Sequence, residues 1–511
     1  MSESLVERAD IGPLTSKARI NKAFEIRKKA AQTEKKLPVA EVHTNGDEEK
    51  YPSRIGNFSK ALQHNEFGEP NLDSYNALIK ALKSGKASDF DAIPLGGALK
   101  LENPQAGLAF ELQGHDPHRV LLPPPPTFDS AETAGEMVEL YWMALLRDVP
   151  YLEYESHPLA QEAIAELSAL SDFRGPTVNG QVTGQTLFRG TTSGETVGPY
   201  ISQLLFKNFQ YGAISMQQKI RVPQPNLDYL TEYPEWLGVQ NGMVSRRDTF
   251  LPAPRFIVTG RDASEYVHND PLYQSIYHAA LILLGMRTAR DAGNPYLKYK
   301  TTQPFSTFGG PFVLGLLASV MTRALNAVWY NKWFVHRRLR PEEFGGRVHR
   351  HLTQAPTYPI HSDVLNSKAA ETIFSQYGTY LLPQAFPEGC PTHPAYGAGH
   401  AAFAAAGATI LKAFFDEDFV ILDPVIPNED GTELVPYRGP DLTVGGELNK
   451  LVANIGISRN MAGVHWRTDA DPRLGEEVAI AVLGELREAG CYVEEFSGFS
   501  LTKFDGTKVI V

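Results

Sequence analysis

Five long segments of this 511-residue chain repeat apolar residues at three-to-four spacing, and that periodicity limits the available folds more than any other feature. They are SAETAGEMVELYWMALLRDV, SEYVHNDPLYQSIYHAALILLGM, GPFVLGLLASVMTRALNAVWYNKW, GHAAFAAAGATILKAFF and GGELNKLVANIGISRNMAG. Alternating runs are few and short, and no internal repeat stands out. The pattern predicts an all-α fold in which two packed helical bundles surround one site. Pro- and Asp-rich sequence between Val420 and Pro440 reads as a long surface loop.

With 42% hydrophobic and 21% charged residues the chain can bury a large core. Its net charge of −11 opposes general nucleic-acid binding, which needs a broad positive field, so any anion site must be local. The two cysteines, Cys390 and Cys491, make no disulfide framework or CxxC metal pattern, although one bridge between them stays open. The N-terminal 32 residues are charged throughout and lack the apolar core of a secretory signal, so a soluble, cytoplasmic protein is expected. The apolar run Pro311 to Tyr330 is long enough to span a bilayer, but it contains Arg323 and Asn326 and is read as a buried core helix.

Residues 1–120 read as an N-terminal arm and lead-in that packs on the core or on a neighbouring subunit. Four prolines after Leu122, then Asp129 or Ser130 as helix caps, place the start of the main helical domain near Leu121, and it runs to 511.

Three stretches carry chemistry. In WYNKWFVHRRLRPEEFGG, a helix would align Trp329, Lys332, His336 and Arg340 on one stripe before Pro341 ends it. Taken alone, such a stripe reads more readily as a solvated basic face. In CPTHPAYGAGHAAF, glycines 397 and 399 feed an Ala-rich helix beginning near His400, so free backbone amides and the helix dipole can meet an anion. The bland alternative is an ordinary glycine turn. In SRNMAGVHWRTDADP, Asp469 follows His465 by four residues and can accept from one imidazole nitrogen, leaving the other as metal ligand or base. That spacing is also common in purely structural pairs. Arg459 falls roughly 120° away on a regular helix, so it must reach the site from a helix end or a bend near Gly463.

Taken in order, K-x7-R-P, H-P-x-Y-G-x-G-H and S-R-x-x-x-G-x-H-x-x-x-D resemble the vanadium haloperoxidases, nearest to the algal and cyanobacterial bromoperoxidases. The lipid-phosphatase group shares the pattern more loosely. The resemblance implies a vanadate cofactor and a reaction in which hydrogen peroxide oxidises bromide, or iodide, to a hypohalous acid that halogenates a small organic acceptor. It implies that His465 bonds vanadium, with Asp469 as the partner of its ring. Lys332, Arg340, Arg459 and the Gly399 amide would hold the vanadate oxygens, and His400 would be the acid–base group. His393 and Trp329 would line the halide pocket. The family's usual Ser before Gly-His is Ala398 here, and its preceding Pro is Gly397. A hydroxyl donor to a charged oxygen is worth about 1.5–3 kcal/mol, so weaker vanadate binding is expected.

The resemblance also implies a homo-oligomer, up to a dodecamer. No calcium site is expected, because NPYLKYKTTQPF carries lysines where carboxylates would be needed. A soluble acid phosphatase, with His465 as nucleophile and His400 as general acid, uses the same cradle and is the alternative activity. A catalytically dead oxyanion-binding protein is a third possibility that Ala398 keeps open.

Overall fold

Several helices begin at side-chain caps. Ser130 accepts from the Thr133 amide to start Ala131–Leu145, Ser367 from Ala370 to start Lys368–Tyr377, and Thr443 from Gly446 to start Val444–Met461. The computed structural model describes residues 12–244, 248–353, 356–488 and 496–511. Among them the only strands are three antiparallel hairpins with three-residue arms, at Phe209–Tyr211 with Ile214–Met216, Val425–Pro427 with Leu434–Pro436, and Ser500–Thr502 with Lys508–Ile510. The second interrupts the expected 420–440 loop, with Pro427 and Pro436 confined to strand ends, where a missing amide costs least.

Two helical bundles pack together. One is formed by Ala131–Leu145, Pro158–Ala169, Pro341–Thr353 and Lys368–Tyr377 around Met137, Tyr141, Trp142, Leu167, Phe344 and Ile373. The other contains Gln274–Gly285, Gly310–Tyr330, Gly399–Phe414, Val444–Met461 and Arg473–Glu488 around Leu317, Val320, Ala405, Leu451, Ile455 and Val478. Each fully buried Leu, Ile, Val or Phe contributes about 1.5–3 kcal/mol to this packing. The alanines of Gly399–Phe414 let neighbouring backbones come close: a Cβ at Gly475 would lie 2.1 Å from the Ala402 carbonyl oxygen, so that position excludes a side chain.

The long apolar helix is a core element, with Val313, Leu317, Val320, Met321 and Ala324 buried. Arg323 turns its guanidinium to the Gln113 carbonyl at 2.9 Å. Beyond Tyr330 the helix widens into a π turn, Asn331–His336, and ends at Arg337 in the left-handed region. Asn331 pins this change by donating to Val120 O and Ala327 O and accepting from the Leu122 amide. Pro341 therefore opens the next helix, Pro341–Thr353, and ends none. The single stripe expected through Arg340 is broken, and His336 packs edge-on against Tyr396.

Residues of the lead-in form their own core: Phe58, Leu62, Tyr75, Leu78 and Leu82 close over Trp333. By contrast, the helix Ser16–Lys36 buries none of its residues. Cys390 is buried as a free thiol, and Cys491 lies outside the described residues.

Candidate active site

Where the bundles meet, the three motifs converge. The π turn carries Lys332 inward, where its ammonium is fully buried and donates to the carbonyls of Pro394 and Ala395 at 2.8 and 2.9 Å. Arg340, just before the next helix, is equally buried and donates to the carbonyls of His393 and Val464. Arg459 leaves the last turn of Val444–Met461 and donates to Val267 O at 2.6 Å, while its Nε is buried without a partner. The chain then reverses at Gly463, whose φ of +85° favours glycine. His465 and Asp469 thus meet across a turn and a short 3-10 helix, Arg467–Ala470, instead of along an α-helix.

Asp469 accepts from His465 Nδ1 at 2.7 Å, from the Trp466 amide at 3.0 Å and from Arg338 at 3.2 Å. Burial raises the Asp469 pKa, with Arg338 and the Trp466 amide opposing it, and the 2.7 Å contact fixes the imidazole proton on Nδ1. The Nε2 lone pair is left to face Arg340 Nη1, 2.9 Å away. His393 receives Nη2 of the same guanidinium at Nδ1, also at 2.9 Å, and its ring lies 4.8 Å from Trp329. Gly399 brings the helix start against that indole, since a Cβ there would be 3.2 Å from it. The first amides of Gly399–Phe414 have no intrahelical acceptor, and its N-cap, Ala398, makes no side-chain bond. His400 Nε2 is 3.0 Å from Asp270.

Among the described residues no carboxylate lies within ion-pair distance of Lys332, Arg340 or Arg459. Burial, and then the Arg340 charge, holds Lys332 well below the usual lysine value. Burial pulls Arg459 down to about 10, with Arg340 adding to the effect. His465 is held far down by burial and by Arg340, Lys332 and Arg459, which keeps it neutral. Three buried cations crowded together without a counter-ion, beside an unpartnered Nε of Arg459 and the lone pair of a neutral histidine, fit a tightly held oxyanion such as vanadate.

Comparisons with known proteins agree with this chemistry. The family described as the VCPO second helical-bundle domain matches residues 313–489. The chain is 35% identical to a vanadium-dependent bromoperoxidase of Corallina officinalis, covering 96% of this chain and 98% of the relative. It is 32% identical to one of Ascophyllum nodosum, covering 97% and 92%. The chain belongs to the vanadium-dependent bromoperoxidase family. A solved structure, the homohexameric second vanadate-dependent bromoperoxidase of Ascophyllum nodosum, superposes with a TM-score of 0.92 at 29% identity, over 99% of this chain and 93% of that one.

As a member of the vanadium-dependent bromoperoxidases, the chain also recruits residues that the motifs did not reveal. Asp270, 130 residues before His400, has no local signature. Arg338, in the same stretch but off the expected stripe, is buried against Glu136 and Asp469. Arg347 is buried too, donating to Gly68 O. The lead-in contributes as well: Glu102 O accepts from Trp329 Nε1 at 3.2 Å, and Lys100 O from Thr392 at 2.6 Å.

Proposed function

We propose that the chain is a vanadate-dependent peroxidase that uses hydrogen peroxide to oxidise bromide, and iodide, to hypohalous acid, which halogenates small organic acceptors. The observation that carries this reading is the set of three buried cations, without carboxylate partners, around the unprotonated Nε2 of His465. Lys332, Arg340, Arg459 and the Gly399 amide would hold vanadate, with His465 Nε2 as its protein ligand. Bound there, vanadate supplies a Lewis-acidic centre that activates peroxide toward the halide.

The chain's own groups handle charge and protons. Asp469 keeps the His465 proton on Nδ1. Asp270 engages His400 Nε2, leaving Nδ1 as the nitrogen that takes up and returns the peroxide proton. Burial lowers the His400 pKa and Asp270 opposes that, so the ring is available as a base near neutrality. His393 Nδ1 stands between Arg340 Nη2 at 2.9 Å and the Pro394 carbonyl oxygen at 3.1 Å, and its ring lies beside Trp329, where it would meet a halide.

Residues 1–120 read as a lead-in to the catalytic region 121–511. Its helix Ser16–Lys36 exposes Ile20 and Phe24, in keeping with an arm that reaches a neighbouring subunit. A homo-oligomer as large as a dodecamer follows this reading, and a buried free Cys390 accords with a cytoplasmic setting.

The test is bromination of a phenol dye with peroxide and bromide, before and after loading with orthovanadate and in competition with phosphate. Activity that appears with vanadate and falls with phosphate is the expected result. Absence of bromination, alongside metal-free hydrolysis of a phosphate monoester, would make the protein an acid phosphatase.

A further inference from the structure

The short segment after the helix Gly260–Tyr266 touches the site twice. Val267 O accepts from Arg459, and two residues beyond His268 the carboxylate of Asp270 meets His400. Between these contacts stands His268, whose side chain is 4% exposed and whose ring stacks on Phe386 at 3.7 Å and 3°. Its Nε2 is 2.5 Å from Glu388 Oε1 and its Nδ1 is 3.3 Å from Glu265 Oε2. Carboxylate oxygens at both ring nitrogens require a proton on each, so the ring is an imidazolium.

We propose that His268 is a positioning residue that ties the 265–270 segment to the 386–388 segment and thereby holds Asp270 against His400. The inference rests on the reading of His400 as the acid–base group. Phe386 lies against both His268 and Arg459, whose guanidinium is 5.5 Å from the ring, so the tie joins two walls of the site. The charged groups facing His268 are Glu265, Glu388 and, at 3.7 Å, Asp248. Arg221 in turn pairs with Glu265, and Lys60 donates to the Glu388 carbonyl. Burial pulls the imidazole down, but Glu265 and Glu388 outweigh it and raise its pKa to about 9, which keeps the clamp charged at neutral pH. The groups acting on His400 are Asp270, which favours its proton, and Arg459 and Lys332, which oppose it. If Asp270 swings away, His400 keeps the opposing charges and titrates at lower pH.

The experiment follows modification of His400 by diethyl pyrocarbonate in the vanadate-free protein as a function of pH, read by peptide mass spectrometry. It compares the parent with Asp270→Asn, His268→Gln and the double variant. We expect both single variants to move the midpoint to lower pH and the double variant to move it no further than Asp270→Asn alone. A midpoint unchanged in His268→Gln, or shifts that add in the double variant, would overturn the proposal. An Asp270→Asn midpoint equal to the parent would remove the Asp270–His400 coupling itself, and the clamp's purpose with it. Glu388→Gln, at a partly exposed position, should move the midpoint in the same direction and serves if His268→Gln does not fold; an unmoved midpoint there would again reject the clamp.

Discussion

Arg340 Nη1 lies 2.9 Å from His465 Nε2, so the nitrogen assigned as metal ligand is already met by a cation. The contact requires an unprotonated Nε2, which Asp469 secures from the far side of the ring. A metal bonded to Nε2 competes with Arg340 for one lone pair, while the anion around it attracts the same guanidinium.

Removing that ligand should remove the cofactor. His465→Ala is expected to abolish vanadium retention after gel filtration, and Asp469→Asn to weaken vanadate binding about 10–100-fold by freeing the ring. Equilibrium dialysis with elemental analysis reads both; parent-like retention in His465→Ala would reject the ligand assignment.

Ala398 stands at the N-cap of Gly399–Phe414 with no side-chain bond. Ala398→Ser should lower the vanadate dissociation constant about tenfold, the smaller end of what a hydroxyl bond to a charged oxygen contributes. An unchanged constant, with a gain of about 1 kcal/mol in apoprotein stability, would show that the hydroxyl caps the helix instead.

The His268 pKa of about 9 exceeds the 6.5 of an unperturbed imidazole, so its stabilisation is full below pH 6.5 and is lost as pH rises through 9. Thermal unfolding should therefore show the parent weakening by about 3 kcal/mol across that window, with His268→Gln nearly flat. Parallel curves for the two proteins would place the titrating group elsewhere.

Glu195 is buried, its Oε2 has no partner, and burial pushes its pKa up to about 7, against the bonds from Thr192. The folded state holds this proton more tightly than the unfolded one, so stability is lost as pH rises from about 4.5 to 7 and the penalty persists above. Glu195→Gln should raise the unfolding temperature at pH 8 and leave it nearly unchanged at pH 4. Equal temperatures at pH 8 would mean that the carboxylate is solvated there.

The helical class, the two-bundle arrangement and the three motifs were legible in the sequence because each rests on local information. Apolar spacing sets which face of a helix is buried, and a glycine turn or an i, i+4 pair is contained within a few residues. The end of the long helix was not legible: Pro341 looked like a terminator, but Asn331 had already redirected the chain through bonds to Val120 and Leu122, about 210 residues away. The burial of Arg338 was not legible either, because its partner Glu136 is 202 positions away.

By itself the sequence determined which groups could bind an oxyanion, since residue type and short-range order suffice to name a histidine, its carboxylate and three cations. Only the tertiary structure decided which charges would be left without partners. Arg338 is neutralised by Glu136 and Asp469, whereas Lys332, Arg340 and Arg459 are buried facing carbonyls and neutral rings. Charge balance in a low-dielectric interior depends on distances through space, and adjacency along the chain does not encode them.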